Sequence, residues 1–201
     1  MISLIIDTSS DHCILALTES SKILASAIFA HQNQLSQQLV PTIKKLLTDT
    51  GMHLSAIQQI SAGMGPGSYT GTRVGVTVAK SLAFGREIPL RGFCSLLAFL
   101  PTQTGRFAAL MPAKSGEIFV LKGTQIQDTL IQETAELMSP TQTLQSLADV
   151  DYIATRELPI PFPRQIYSFS PNLHPLLLAL QQSPVFPFEK EGHLIYLHHP
   201  A

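Results

Sequence analysis

Ile2-Ser3-Leu4-Ile5-Ile6-Asp7-Thr8-Ser9-Ser10-Asp11 is the stretch that decides the fold, because an apolar run rich in β-branched residues stops there at a cluster of turn formers. It predicts a strand over residues 2–6 followed by a turn. Cys13–Leu17 repeats the apolar run, and after the break at Glu19-Ser20-Ser21 the segment Lys22–Phe29 alternates in polarity. Three short strands in succession predict an antiparallel meander at the start of the chain.

Beyond the meander the period changes. Between Gln34 and Thr50, Leu35, Leu39, Ile43, Leu46 and Leu47 recur at three- and four-residue spacing, the apolar face of a helix that Gly51 ends. Pro41 lies inside this pattern and marks either the start of the helix or a bend in it. Ile57–Ala62 reads as a buried strand, Gly63-Met64-Gly65-Pro66-Gly67-Ser68 as a turn and Thr70–Phe84 as a second helix, in βαβα order. Gly71, Gly75, Ala79 and Ala83 stand on that helix at four-residue intervals. Glycine in a helix costs about 1 kcal/mol relative to alanine, so the row calls for close packing, either inside the lobe or against another molecule.

Leu90–Phe93 and Ser95–Leu100 predict a further strand and helix, and Thr102-Gln103-Thr104-Gly105 reads as a linker between a lobe of residues 1–101 and another of 106–201. In the second half, Phe107–Met111, Glu117–Leu121, Tyr152–Ala154 and Gln165–Phe169 predict strands. Ser139-Pro140 predicts the capped start of a helix reaching Ala148. Eight of the fourteen prolines lie beyond residue 158, which marks this lobe as loop-rich and reduced.

Charged residues make up 13% of the chain, about half the usual quarter. With a net charge of -1 there is no basic field to hold a phosphate backbone, so binding of nucleic acid by the chain alone is not expected. The N-terminus has no basic leader segment, and no apolar run approaches the roughly 18 to 20 residues of a membrane span, so a soluble, cytoplasmic protein is expected. Cys13 and Cys94 lie in apolar surroundings without CxxC spacing and read as core fillers. The seven histidines, His12, His31, His53, His174, His193, His198 and His199, form no i, i+4 pair on a predicted helix, and no metal is expected.

Two places invite chemistry. The glycine-rich turn before the second helix suits an anion, but no Gly-Lys-Ser/Thr follows it and Pro66 removes one amide. Asp7, Thr8 and Ser9 put a carboxylate and two hydroxyls in a hairpin turn, a set that suits metal-bound water and phosphate oxygens and is also ordinary turn chemistry.

Ile6-Asp7-Thr8-Ser9, then Gly65-Pro66-Gly67-Ser68-Tyr69-Thr70-Gly71-Thr72-Arg73-Val74-Gly75 and Ala79-Lys80-Ser81-Leu82-Ala83, closely resemble the TsaB (YeaZ) family. Leu39-Val40-Pro41-Thr42-Ile43, Gly116-Glu117-Ile118-Phe119 and Tyr196-Leu197 extend the resemblance. It departs at Leu35, where the family commonly has histidine, at Pro112-Ala113-Lys114, where it has Asp-Ala-Arg, and at His198, where it has arginine.

The resemblance implies an α/β, actin-like (ASKHA, ribonuclease H-like) fold of two lobes, the second reduced. It also implies an accessory subunit without catalytic residues, metal or cofactor of its own. Such a subunit pairs with a TsaD-like catalytic subunit that transfers threonylcarbamoyl to the adenosine beside the anticodon of tRNA. A TsaE-like ATPase joins the assembled complex and tRNA is met only through that complex; whether the chain alone forms a homodimer is left open. Under this reading Leu39, Ile43, Leu46, Gly71, Gly75, Ala79 and Ala83 are the expected partner contacts. The alternative is an ATP-dependent phosphotransferase of the same fold, with Asp7 organising magnesium beside Thr8 and Ser9. A peptidase reading finds no nucleophile or metal set in the sequence.

Overall fold

The computed structural model describes residues 1–30, 34–113, 115–155, 165–168 and 170–182. They form two compact units, the first carrying Met1–Ser95 and the second beginning at Leu96. In the first unit, β1 (Ile2–Asp7), β2 (His12–Glu19) and β3 (Lys22–Ala30) form the expected meander. α1 (Leu35–Asp49), β4 (Gln59–Gly63), α2 (Tyr69–Arg86) and β5 (Leu90–Phe93) follow.

The sheet order is β3-β2-β1-β4-β5, with β4 parallel to β1 and β5 parallel to β4. β1 and β4 are flanked by strands on both sides and buried along almost their whole length, which is why their sequences are unbroken apolar runs rather than alternating ones. The apolar face of α1 packs with Val76, Ala79 and Ala83 of α2 onto Leu4, Ile6, Leu15, Leu17 and Ile60 of the sheet. α1 begins at Leu35, so Pro41 lies inside the helix rather than at its start.

Both helices end in the same way. On α1 the Met52 amide donates to the Leu47 carbonyl and the Gly51 amide to Thr48, with Gly51 left-handed at φ 66°. On α2 the Ile88 amide donates to Ala83 and the Glu87 amide to Phe84, but the left-handed residue is Glu87, at φ 53°. This is the closing turn that glycine favours, and α2 makes it without one.

The second unit contains β6 (Gly105–Pro112), β7 (Ile118–Ile126), β8 (Thr129–Gln132), β9 (Glu136–Met138), α3 (Pro140–Ser146), β10 (Tyr152–Thr155), β11 (Gln165–Ser168) and α4 (Leu173–Gln182). Its sheet order is β11-β10-β6-β7-β8, with β9 also paired to β7. β6 is antiparallel to β7 and parallel to β10, the same environment that β1 has between β2 and β4. The two units therefore share one strand plan, an α/β actin-like architecture that no periodicity in the sequence displays. Ser139 caps α3 in a reciprocal pair with Gln142, Pro140 following as expected. Ser95–Phe99 is a 3₁₀ turn rather than an α-helix.

The closing turn of α2 gives a direct test of the backbone argument. Glu87 is exposed, so Glu87→Gly loses little packing and relieves a left-handed conformation that costs an L-residue roughly 1–2 kcal/mol. The variant is expected to unfold about 1 kcal/mol later in a denaturant titration. Equal or lower stability contradicts the argument.

Candidate functional site

β1 ends at Asp7, β4 at Gly63 and β5 at Phe93, three neighbouring parallel or central strands whose carboxyl ends lie side by side. In open α/β sheets this is the edge where ligands are held. Three segments meet there: the turn after β1, the glycine-rich loop after β4, and Ser95.

The contacts among them are close. The Ser9 amide donates to Asp7 Oδ1 at 2.9 Å, and the Ser68 amide donates to the Ser9 carbonyl at 2.5 Å. Gly65 donates its amide to Ser95 Oγ at 3.1 Å and accepts from the Ser95 amide at 2.8 Å. The Met64 amide donates to Phe93, and Gly71 donates to Ser68 Oγ, the cap of α2. Glycine is required at two points of approach. A Cβ on Gly63 would overlap the Asp7 carboxyl, and one on Gly67 would overlap the Ser9 carbonyl.

Asp7, Thr8 and Ser9 are thus brought together as the sequence suggests, but inside the protein. Their exposures are 2%, 1% and 1%. Burial pushes the Asp7 carboxyl above its ordinary range, and the Ser9 amide together with the nearby Ser9 and Ser95 hydroxyls offsets only part of this. Among the described residues, Asp7 Oδ2 and Ser9 Oγ have no hydrogen-bond partner. A charged oxygen left so would be costly, so the neutral acid is the form that burial favours. The amides of Met64, Gly65, Ser68 and Gly71, which a phosphate would need, already donate to protein oxygens.

The residues expected to meet a partner face the same way. Leu39, Ile43 and Leu46 of α1 and Gly71, Gly75, Ala79 and Ala83 of α2 are all buried within the first unit. The direction of the small-residue row is corrected accordingly: its first two glycines accommodate Thr8, whose Oγ1 donates to the Gly71 carbonyl at 2.6 Å. Outward, the two helices leave a groove of about 290 Å³ lined by Ser36, Leu39, Arg73, Val74, Thr77 and Val78. Val40 and Tyr69 are 54% exposed and Phe84 87%, and the Arg73 guanidinium lies 4.2 Å over the Tyr69 ring.

Cys13 is buried in the core of the first unit, and burial pushes its thiol up to about 12, unsuited to nucleophilic work at neutral pH. His12, His53 and His174 stand on separate parts of the chain. His31, Lys114, His193, Tyr196, Leu197, His198 and His199 lie outside the described residues. No described helix is long and apolar enough to cross a membrane.

The state of Asp7 is measurable through stability. Its folded pKa stands above the ordinary 3.8, so the stabilising contribution of the bound proton is whole below the ordinary carboxylate range and is lost as pH rises through the raised value. Asp7→Asn, neutral and of the same shape, is expected to melt higher than the parent near pH 8, with the difference shrinking toward pH 4. A difference that grows toward acid contradicts the buried-acid account.

The family profile described as TsaD, tRNA N6-adenosine threonylcarbamoyltransferase, matches residues 22–188. The Escherichia coli tRNA threonylcarbamoyladenosine biosynthesis protein TsaB is 31% identical over 121 residues, 58% of this chain and 52% of that protein. A tRNA N6-adenosine threonylcarbamoyltransferase of Syntrophus aciditrophicus is 33% identical over 108 residues, 46% of this chain and 32% of that one. The chain spans about half the length of the curated TsaB relatives it matches. Among solved structures, a Pseudomonas aeruginosa protein described as similar to the peptidase YeaZ superposes with a TM-score of 0.74 at 25% identity, covering 89% of each chain. With most of its length inside the TsaD profile and its stronger matches among TsaB proteins, the chain belongs to the TsaB (YeaZ) branch of the TsaD family.

Proposed function

We propose that this chain is a noncatalytic subunit in the biosynthesis of threonylcarbamoyladenosine on tRNA, and that it docks a TsaD-like transferase through the outer faces of α1 and α2. The observation that carries the reading is the groove between those helices, together with the exposed Val40, Tyr69 and Phe84 on the same two helices. Exposed aromatic and aliphatic groups are what the core of a protein interface is made of. The inward residues of the same helices hold them rigid, so the face is offered without an ordering cost.

The noncatalytic reading is supported by the carboxyl end of the first sheet, where Asp7 is 2% exposed and the amides of Met64, Gly65, Ser68 and Gly71 donate to protein oxygens. A transferase partner then supplies the chemistry, a TsaE-like ATPase joins the assembly, and tRNA is met through the complex. With a net charge of -1 the chain alone has little to hold a phosphate backbone. When the transferase is absent, a second copy of the chain occupies the same face.

Calorimetric titration of the chain with the TsaD-like subunit of the same organism tests this reading. Thr77→Arg and Val40→Glu, both at exposed positions, are expected to weaken binding at least about tenfold while leaving thermal unfolding nearly unchanged. Wild-type affinity in both variants removes α1 and α2 as the docking face. ATP turnover by the purified chain that vanishes in Asp7→Ala removes the noncatalytic assignment and favours the phosphotransferase.

A further inference from the structure

The first two turns of α2 lack a large inward side chain. Up to Val76, the buried positions are Gly71, Thr72 and Gly75. Two glycines weaken these turns by roughly 1 kcal/mol each against alanine, and neither reaches the core with atoms of its own. The notch they leave is filled from outside the helix. Thr8, on the turn after β1, donates its hydroxyl to the Gly71 carbonyl at 2.6 Å, and its side chain occupies the space a Cβ on Gly75 would need. Its backbone carbonyl occupies the corresponding space beside Gly71. One residue on, the Ser9 carbonyl accepts from the Ser68 amide immediately before the helix.

We propose that Thr8 is a positioning residue for the docking face: the turn after β1 is a peg, the Gly71–Gly75 notch is its socket, and their fit sets how the first two turns of α2 present Arg73 and Val74. This rests on the reading of the outer face of α1 and α2 as the docking surface. Val74 and Thr77, in the groove, are one and two residues from Gly75 of the notch, so a shift of the peg is transmitted to them through the helix backbone itself. A turn whose residue types suit phosphate chemistry thereby acts on protein recognition instead. The hydroxyl is the specific element, since Thr8 is 1% exposed and its Oγ1 bonds a helix carbonyl rather than water.

Three proteins test the proposal: the parent chain, Thr8→Val, which keeps the shape and loses the donor, and Thr8→Ser, which keeps the donor. Two measurements are made on each: amide hydrogen exchange across residues 70–78, and affinity for the TsaD-like transferase by calorimetry. Thr8→Val is expected to exchange faster in α2 and to bind roughly five- to tenfold more weakly, the factor a lost internal hydrogen bond carries, while β1, β2 and β4 remain as protected as in the parent. Thr8→Ser is expected to restore both readouts to within about threefold. Parent-like exchange and affinity in Thr8→Val overturn the proposal, as does faster exchange with unchanged affinity. Loss of protection throughout the sheet assigns Thr8 a general structural role and overturns it as well. A parent chain that binds no transferase sinks the docking reading itself, an outcome separate from the others.

Discussion

Everything in the first unit is arranged around a carboxyl group that water cannot reach. Asp7 closes the central strand, and Gly63 on the adjacent parallel strand lies directly against it. Burial favours the protonated form of the group. Its Oδ1 holds the Ser9 amide, Ser9 holds Ser68, and Thr8 holds Gly71, so one short turn fixes the start of α2 at several points. The glycines of the following loop are small because this turn passes beside them, and Gly67, at φ 155°, runs past the Ser9 carbonyl.

The same arrangement divides the two helices into faces with different work. Inward, α1 supplies leucines and isoleucine while α2 supplies glycine, alanine and one valine, a large-against-small complementarity that seats both helices on the sheet. Outward, apolar groups remain where a lone soluble helix would carry charge, and Phe84 is almost bare. A chain with about half the usual charge content keeps such a face most readily if a partner covers it. The proposed docking role thus rests on the same packing solution that closes the strand ends.

Much of this was legible in the residues. β1 to β3 and α1 follow from clean changes of period, and Ser139-Pro140 marked the start of α3 by side-chain chemistry alone. α4 was not legible, because Leu176–Leu180 is apolar at every position and carries no contrast of period, while Pro171 and Pro175 read as loop. β8 and β9 are four and three residues long and sit among polar turns, too short for alternation to show. The turn at Asp7 was visible as a cluster, but its burial was not. Nor was the direction of the Gly71–Ala83 row, since a stripe of small residues states that something comes close without stating what. The answer, Thr8, lies more than sixty residues earlier in the chain, a distance that local patterns do not span.

The amides of Met64, Gly65, Ser68 and Gly71 at the carboxyl end of the first sheet are engaged by the protein itself and not held open for phosphate. The most direct measurement is a two-dimensional amide NMR titration of the chain with magnesium and ATP, following Met64, Gly65, Ser68 and Gly71. The account predicts that these resonances stay in place up to millimolar nucleotide. Saturable shifts at the same four amides, accompanied by Ser9, would contradict it.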